Sequence, residues 1–100
     1  MPFLIYALDK PDMHVTRERV REAHRQHLQS QGRRILAAGA LLDDDNATVI
    51  GGITLLDTED RATAERFAYE DPYETVGIRK ETRVVRWRQR WWSGEFLTDN

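Results

Sequence analysis

The sequence predicts an α+β fold with the element order βαββαβ, in which a four-stranded antiparallel sheet carries two helices on one face. Three observations support this fold class. The first strand is apolar on both alternating sets of positions, two later stretches carry apolar residues at helical spacing, and the final stretch alternates with a period of two. A length of 100 residues, with 40% apolar and 32% charged residues, suits one globular domain.

The first strand and the first helix follow directly from the apolar pattern. Phe3–Leu8 is apolar on both faces, which is expected of a central strand, and the polar, proline-containing segment after it ends the strand. A helix is predicted over Thr16–Gln31, with Thr16 as its N-cap and the following glycine as its stop. One face of this helix carries residues at four-residue steps: Val20, His24 and Leu28. We therefore expect His24 to point towards the sheet.

The second and third strands are predicted to form a hairpin. Ile35–Leu42 reads as the second strand, and Gly39 leaves room that a side chain would fill. Asp43–Asn46 is a polar turn of the kind that joins antiparallel strands. The third strand is predicted over Ala47–Leu56, with a bulge or bend at the paired glycines Gly51–Gly52.

A second helix and a long last strand complete the order. Thr58 can cap the helix, and Pro72 ends it. Glu81–Trp92 alternates as one strand, with most of its arginines on one face and Trp87 and Trp91 on the other. This arrangement is ferredoxin-like. We assign residues 1–93 to the domain and residues 94–100 to a C-terminal tail.

Composition removes several classes of function. There are 15 basic and 17 acidic residues, so the net charge of −2 provides no general attraction for nucleic acid or an anionic membrane. The absence of cysteine excludes disulfides, thiolate metal sites and cysteine nucleophiles. No stretch approaches the roughly 20 apolar residues of a membrane span. The sequence therefore predicts a cytoplasmic protein that does not bind membranes.

The predicted sheet has one face without a helical cover. The first strand is apolar on both faces, and the last strand places tryptophans on one. An exposed apolar face of this size is unfavourable for a monomer. We therefore expect a homodimer that stacks the two open sheet faces and encloses a cavity between each sheet and its partner.

An imidazole and a carboxylate suggest a proton-transfer site. His24 lies in the first helix, and Asp71 closes the second helical stretch. Structural alternatives remain open at this point. His24 can be a core imidazole bonded to a backbone carbonyl, Asp71 before a proline is a common helix-ending residue, and an ion pair between Asp71 and Arg21 would also suffice.

Several short motifs resemble the YCII-related (YciI-like) family. They are Val20–His24, Leu36–Gly39 and Ala68–Tyr73, followed by Gly77. The resemblance implies a dimeric ferredoxin-like α/β barrel. It also implies a shared histidine–aspartate site, carried here by His24 and Asp71. Some family members are lyases that remove halide from hydroxylated chloroaromatic compounds. The arginine- and tryptophan-rich end of this chain departs from the family pattern.

These observations lead to a functional hypothesis. We expect a cofactor-independent lyase or isomerase step on a small oxygenated compound, aromatic compounds included. His24 would move the proton and Asp71 would orient the imidazole. Four residues are assigned to substrate binding: Arg21, Gly39, Pro72 and Tyr73. The alternatives are a non-catalytic ligand-binding or scaffold domain, and a single-stranded RNA-binding module that uses the last strand. Nucleic acid is not the expected partner, because most arginines and tryptophans of that strand lie on opposite faces.

A metal site is not expected. His24 and His27 lie one helical turn apart, a spacing that can place two ligands on one metal. However, the sequence offers no obvious third ligand near them. We therefore predict neither a metal nor a cofactor.

Overall fold

The computed structural model describes residues 1–97 and confirms the predicted fold class. Within these residues, six strands and three α-helices follow one another: β1 (Phe3–Asp9), α1 (His14–Gln29), β2 (Ile35–Leu42), β3 (Val49–Leu56), α2 (Arg61–Glu70), α3 (Pro72–Thr75), β4 (Arg79–Arg86), β5 (Trp91–Trp92) and β6 (Glu95–Phe96). The first four strands form one antiparallel sheet in the order β2-β3-β1-β4. A 3₁₀ turn over Gly32–Arg34 leads into β2.

The core lies between β1 and α2. Alternate residues of β1 are buried, as expected for a central strand whose two faces have different surroundings. The main apolar cluster consists of Phe3, Ile5, Leu56, Ala64, Phe67 and Ala68. This cluster holds α2 against β1 and β4, so the C-terminal end of α2 has a fixed position relative to the sheet.

Both long helices begin differently from the prediction. α1 begins at His14, so Thr16 lies inside the helix, and no side chain caps it at Met13. α2 is capped by Asp60, whose carboxylate accepts a hydrogen bond from the N–H of Thr63 at 3.2 Å. Thr58 instead accepts one from the N–H of Asp60. The N-cap predictions were wrong because several residues that can cap a helix lie close together. The local sequence does not determine at which of them the helix begins.

α1 stands away from part of the sheet, and small residues explain the gap. α1 has no buried residue. The strand register places Ala38 opposite Thr54 and Ala40 opposite Gly52 on the face below α1. These short side chains cannot reach the helix, so an open cavity of about 1480 Å³ remains between α1 and the sheet.

No helix among residues 1–97 is long and apolar enough to cross a membrane.

The predicted last strand was too long. β4 ends at Arg86, and a separate two-stranded hairpin follows, with Trp91 opposite Phe96. We call residues 87–97 the arm. The N–H of Trp87 donates to the carbonyl of Pro2 at 2.9 Å and anchors the start of the arm. Beyond this point the arm leaves the sheet, because β1 ends there and offers β4 no further pairing partner.

The sheet face opposite α1 and α2 is apolar and accessible. Leu4, Tyr6 and Leu8 of β1 point to this face and are half-buried. Their neighbours Ile53 and Val85 are 37% and 38% exposed. The expected uncovered sheet face is therefore present in the single chain.

Two glycines provide a matched test of backbone packing. A Cβ at Gly51 would lie 2.1 Å from the carbonyl oxygen of Ala7, whereas nothing lies within 4 Å of a Cβ at Gly39. Gly51→Ala must displace backbone of β1, and we expect it to destabilise the fold by about 1–3 kcal/mol. Gly39→Ala should change the stability by less than about 0.5 kcal/mol. Urea denaturation of both variants measures the difference, and equal stabilities would contradict the close approach of β1 to Gly51.

Candidate functional site

His24 and Asp71 form a direct pair beside the cavity. The Nδ1 atom of His24 lies 2.8 Å and 3.1 Å from the two carboxylate oxygens of Asp71. Asp71 is 1% exposed, and the His24 side chain is 21% exposed and lines the cavity. The structure thus brings together the two residues that sequence analysis proposed as an acid–base pair.

The position of Asp71 follows from its place between two helices. It ends α2, and its carboxylate caps α3 by accepting the N–H of Tyr73 at 2.9 Å. Pro72 occupies the first turn of α3, where its missing N–H costs nothing. The carboxylate also accepts a hydrogen bond at 3.0 Å from Arg79, at the start of β4. Asp71 is therefore held by three different elements.

These contacts keep Asp71 ionised. Burial raises the pKa of the Asp71 carboxyl, but the hydrogen bond from His24, the charge of Arg79 and the N–H of Tyr73 together outweigh burial. The net result is a pKa below the ordinary value for aspartate. An ionised carboxylate can only accept hydrogen bonds, so the Nδ1 atom of His24 must donate. In neutral His24 the lone pair is then on Nε2, the nitrogen that a general base would use.

Tyr73 holds the imidazole in place from the side. Its ring stacks on His24 with centroids 3.9 Å apart and an interplanar angle of 10°. The guanidinium of Arg17 lies 4.4 Å from the centroid of the same ring. Two groups this close cannot share one ring face, so Tyr73 is sandwiched between them. Arg17 and His24 are two turns apart on α1, about 10 Å of rise, which leaves room for one ring.

Arg17 and Arg79 are site residues that sequence reasoning missed. Arg17 bonds to buried Asp9 at 2.6 Å, and Arg79 bonds to Asp71 and to the carbonyl of Ala68. Arg17 lies seven residues before His24, so it shares the helical stripe that singled out His24. This signal was available in the sequence. Arg79 had no such signal, because its partner lies on another element.

The other predicted binding residues have different positions. Arg21 and Gly39 border the cavity, and Tyr73 borders it beside His24. Arg21 also forms a surface pair with Glu18 rather than with Asp71. Pro72 is at the start of α3 and does not border the cavity. Whether these four residues bind substrate stays a prediction.

The cavity is bordered by more cations than anions. Its positively charged residues are Lys10, Arg17, Arg21, Arg25, Arg79 and Lys80. The carboxylates on its border are Asp9 and Asp12, and Asp9 is already paired with Arg17. Because the whole chain carries a charge of −2, this concentration of cations is local. The cavity is electrostatically suited to an anionic ligand.

His27 has a structural partner. Its Nε2–H donates to the carbonyl of Phe67 at 2.7 Å, and its ring stacks on the Phe67 ring. Among residues 1–97, no group of three histidine, aspartate or glutamate residues is arranged to hold a metal ion. The two histidines His24 and His27 therefore have separate environments, one beside the cavity and one against α2.

Comparisons with known proteins agree with this architecture. The sequence model of the YCII-related domain matches residues 1–88. A similar solved structure is a 5-chloro-2-hydroxyhydroquinone dehydrochlorinase from Burkholderia phenoliruptrix, in complex with 2,5-dihydroxybenzoquinone. The TM-score is 0.79 at 27% sequence identity, over 88% of this chain and 94% of the other. No curated protein matches the chain. The family match covers nearly the whole domain, and the chain therefore belongs to the YCII-related family.

Proposed function

We propose that this protein is a cofactor-independent lyase or isomerase that uses His24 as a general base on a small oxygenated compound. The observation that carries the proposal is the buried carboxyl group of Asp71, which lies 2.8 Å from Nδ1 of an imidazole that borders a cavity. A histidine oriented by a carboxylate is a common arrangement for proton transfer near neutral pH.

The proposed step begins with a hydroxyl group of the substrate. Nε2 of His24 takes the hydroxyl proton, and Asp71 stabilises the imidazolium that forms through the Nδ1–H bond. The electron pair left on oxygen moves into the carbon skeleton. In a lyase reaction a leaving group departs with its bonding electrons, and in an isomerase reaction a carbon atom takes the proton back. Neither route needs an external oxidant or reductant.

The cations around the cavity would hold the substrate. Arg21 is proposed to bind an anionic group, because it borders the cavity and its surface partner Glu18 leaves other N–H groups available. Tyr73 would position the imidazole through its ring stack, with Arg17 on the opposite face. Loss of a substrate proton increases the negative charge in the cavity, so the cations would also favour the deprotonated substrate.

The structural similarity supports the lyase alternative over the isomerase. A dehydrochlorinase removes the elements of HCl, and the similar structure has a quinone bound. For a chlorinated hydroquinone, one hydroxyl group would lose its proton and the ring carbon that carries chlorine would take up a proton, which gives a keto tautomer. Loss of the second hydroxyl proton would then expel chloride and leave a quinone. The net change is loss of HCl, which balances without a cofactor. Hydroxylated, halogenated aromatic compounds are therefore the first substrate class to test.

Homodimerisation through the open sheet face is part of the proposal. Its support is the accessible apolar face that includes Ile53 and Val85. A stacked pair would bury this face and complete the barrel architecture of the family. A cytoplasmic location stays a prediction.

A halide-release screen tests the proposed reaction. We expect the purified protein to release chloride from at least one chlorinated polyhydroxybenzene, with a matching rise in quinone absorbance and no added cofactor. Compounds that lack the hydroxyl groups serve as controls, because His24 would then have no acidic proton to remove. Tight binding of such compounds without any product would instead support a ligand-binding domain.

A further inference from the structure

The arm is the part of the chain that the proposed reaction does not explain. Its apolar side chains are exposed despite their size: Trp87 (36%), Trp91 (61%), Trp92 (44%), Phe96 (49%) and Leu97 (48%). A two-stranded hairpin alone is at best marginally stable in water. Trp91 contacts Phe96 within the arm, with ring centroids 5.4 Å apart, but with that contact in place about half of each residue's surface is still accessible. Such a surface indicates a partner.

A surface of complementary character lies at the other end of the sheet. Leu42 and Ile50 are 46% and 38% exposed, and between them the turn Asp43–Asp45 carries three exposed carboxylates. We call residues 42–50 the acidic rim. No lysine or arginine occurs within it, whereas the arm contains two arginines and one glutamate. The arm and the acidic rim thus both expose apolar side chains. Their charges are opposite, since the arm is positive and the rim is negative.

The arm and the rim of one chain lie at opposite ends of the sheet. The arm starts where Phe3 pairs with Arg86, and the rim adjoins the end where Leu8 pairs with Gly51. A strand of eight residues separates these ends by about 26 Å. If two sheets stack with their strands in opposite directions, the arm of each chain lies beside the rim of the other.

We propose that the arm docks on the acidic rim of a second copy of this chain and closes its cavity. The inference rests on the proposed homodimer. Ile50 and the residues from Ala47 to Val49 border the cavity, so an arm seated on the rim covers the cavity mouth. Stacked sheets lie about 10 Å apart, a distance that the four residues from Trp87 to Arg90, which precede the hairpin, can span at about 3.3 Å each.

The cavity volume agrees with this arrangement. At about 1480 Å³ the cavity exceeds the roughly 300–1,000 Å³ usual for small-molecule sites. Aromatic side chains from the arm of the partner would reduce the space and exclude water from His24. The partner copy would then contribute to the site, with Arg88 and Arg90 paired to rim carboxylates.

Cross-linking tests the contact, and the absence of native cysteines makes the result specific. Leu42→Cys protein is mixed with Phe96→Cys protein, one of them carrying a tag, and treated with a short bismaleimide. We expect a prominent mixed dimer. The matched control is Asp57→Cys, an exposed position at the arm end of the sheet, mixed with Phe96→Cys. This control should give only the background yield.

Sedimentation gives an independent measurement. The double variant Trp91→Ser/Trp92→Ser should raise the dimer dissociation constant tenfold or more, because buried aromatic anchors contribute much of the affinity at interfaces. Far-UV circular dichroism checks that the domain remains folded. An unchanged dissociation constant, or a mixed cross-link no stronger than the control, would overturn the docking of the arm and leave the open-face dimer standing.

Two other results would also reject the proposal. A wild-type monomer at micromolar concentration would remove both the dimer and the arm contact. Binding to anionic vesicles or to a single-stranded oligonucleotide that is lost with the two tryptophans would give the arm a different partner. None of these measurements depends on turnover, so failure of the reaction proposal would show in the halide screen alone.

Discussion

Replacing His24 with asparagine is expected to lower turnover by about 10²–10⁴-fold while the fold is retained, since that is the usual effect of losing a general base. Asparagine keeps one N–H near Asp71 but has no group that takes a proton near neutral pH. The carboxylate would remain bonded to Arg79 and to the N–H of Tyr73, so His24→Asn leaves it with partners. Steady-state kinetics on the substrate found by the halide screen, together with a thermal melt, measure both quantities.

His27→Asn is the matched control for this variant. His27 lies one turn further along α1, and its imidazole donates to the carbonyl of Phe67 instead of bordering the cavity. Its replacement should reduce stability by about 1–3 kcal/mol, since a partly buried hydrogen bond is disturbed, and leave turnover within a few-fold. If His24→Asn also keeps its turnover and loses only stability, His24 is a packed ring and the catalytic proposal is rejected.

Arg79→Met is expected to destabilise the protein by about 3 kcal/mol at pH 7, because it removes one partner of a buried ion pair. The Arg79 side chain is 9% exposed, and the side chain of its partner Asp71, taken alone, is 2% exposed. The variant also breaks the bond from Arg79 to the carbonyl of Ala68. The expected loss is at the low end of the range for such pairs, since Asp71 keeps its bonds to His24 and to the N–H of Tyr73.

Arg25→Met provides the surface comparison, on α1. The Arg25 side chain is 61% exposed and lies 3.9 Å from Glu22, so its replacement should change stability by less than about 0.5 kcal/mol. Urea denaturation is suitable for both variants because, unlike guanidinium chloride, it does not screen charges. Equal losses in the two variants would show that the Asp71–Arg79 pair contributes no special stability.

The cost of Arg79→Met should also shrink in acid. The pKa of Asp71 is lowered in the folded protein, so the stability from its ionised form is complete above the unfolded value of about 3.9. That stability is lost as the pH falls through the folded pKa. Without Arg79, the pKa of Asp71 should rise, and a protonated carboxyl no longer needs the arginine. The stability difference between wild type and variant should therefore be largest at neutral pH and decrease below pH 4.

Local pattern was enough to predict the sheet and the two long helices. β1 is apolar on both faces because one face packs against α2 and the other forms the open face. The apolar residues of Phe3–Leu8 alone were enough to predict this. The stripe with His24 followed from helical periodicity, and the proposed role of Asp71 came from the family resemblance. The ends of elements were predicted less well. Asp60 rather than Thr58 caps α2, and β4 stops at Arg86.

The tertiary structure alone decided which charges meet and where the cavity lies. Asp71 and Arg79 are close in sequence, but they pair only because α3 turns the chain back towards β4. Arg17 reaches Tyr73 from a distant part of the chain, a contact that no local pattern encodes. The cavity depends on α1 lying above small residues of β2 and β3. The periodicity of apolar residues indicates whether a residue is buried. Which residue it contacts depends on how distant segments of the chain pack against each other. The proposed chemistry of this site depends on those contacts.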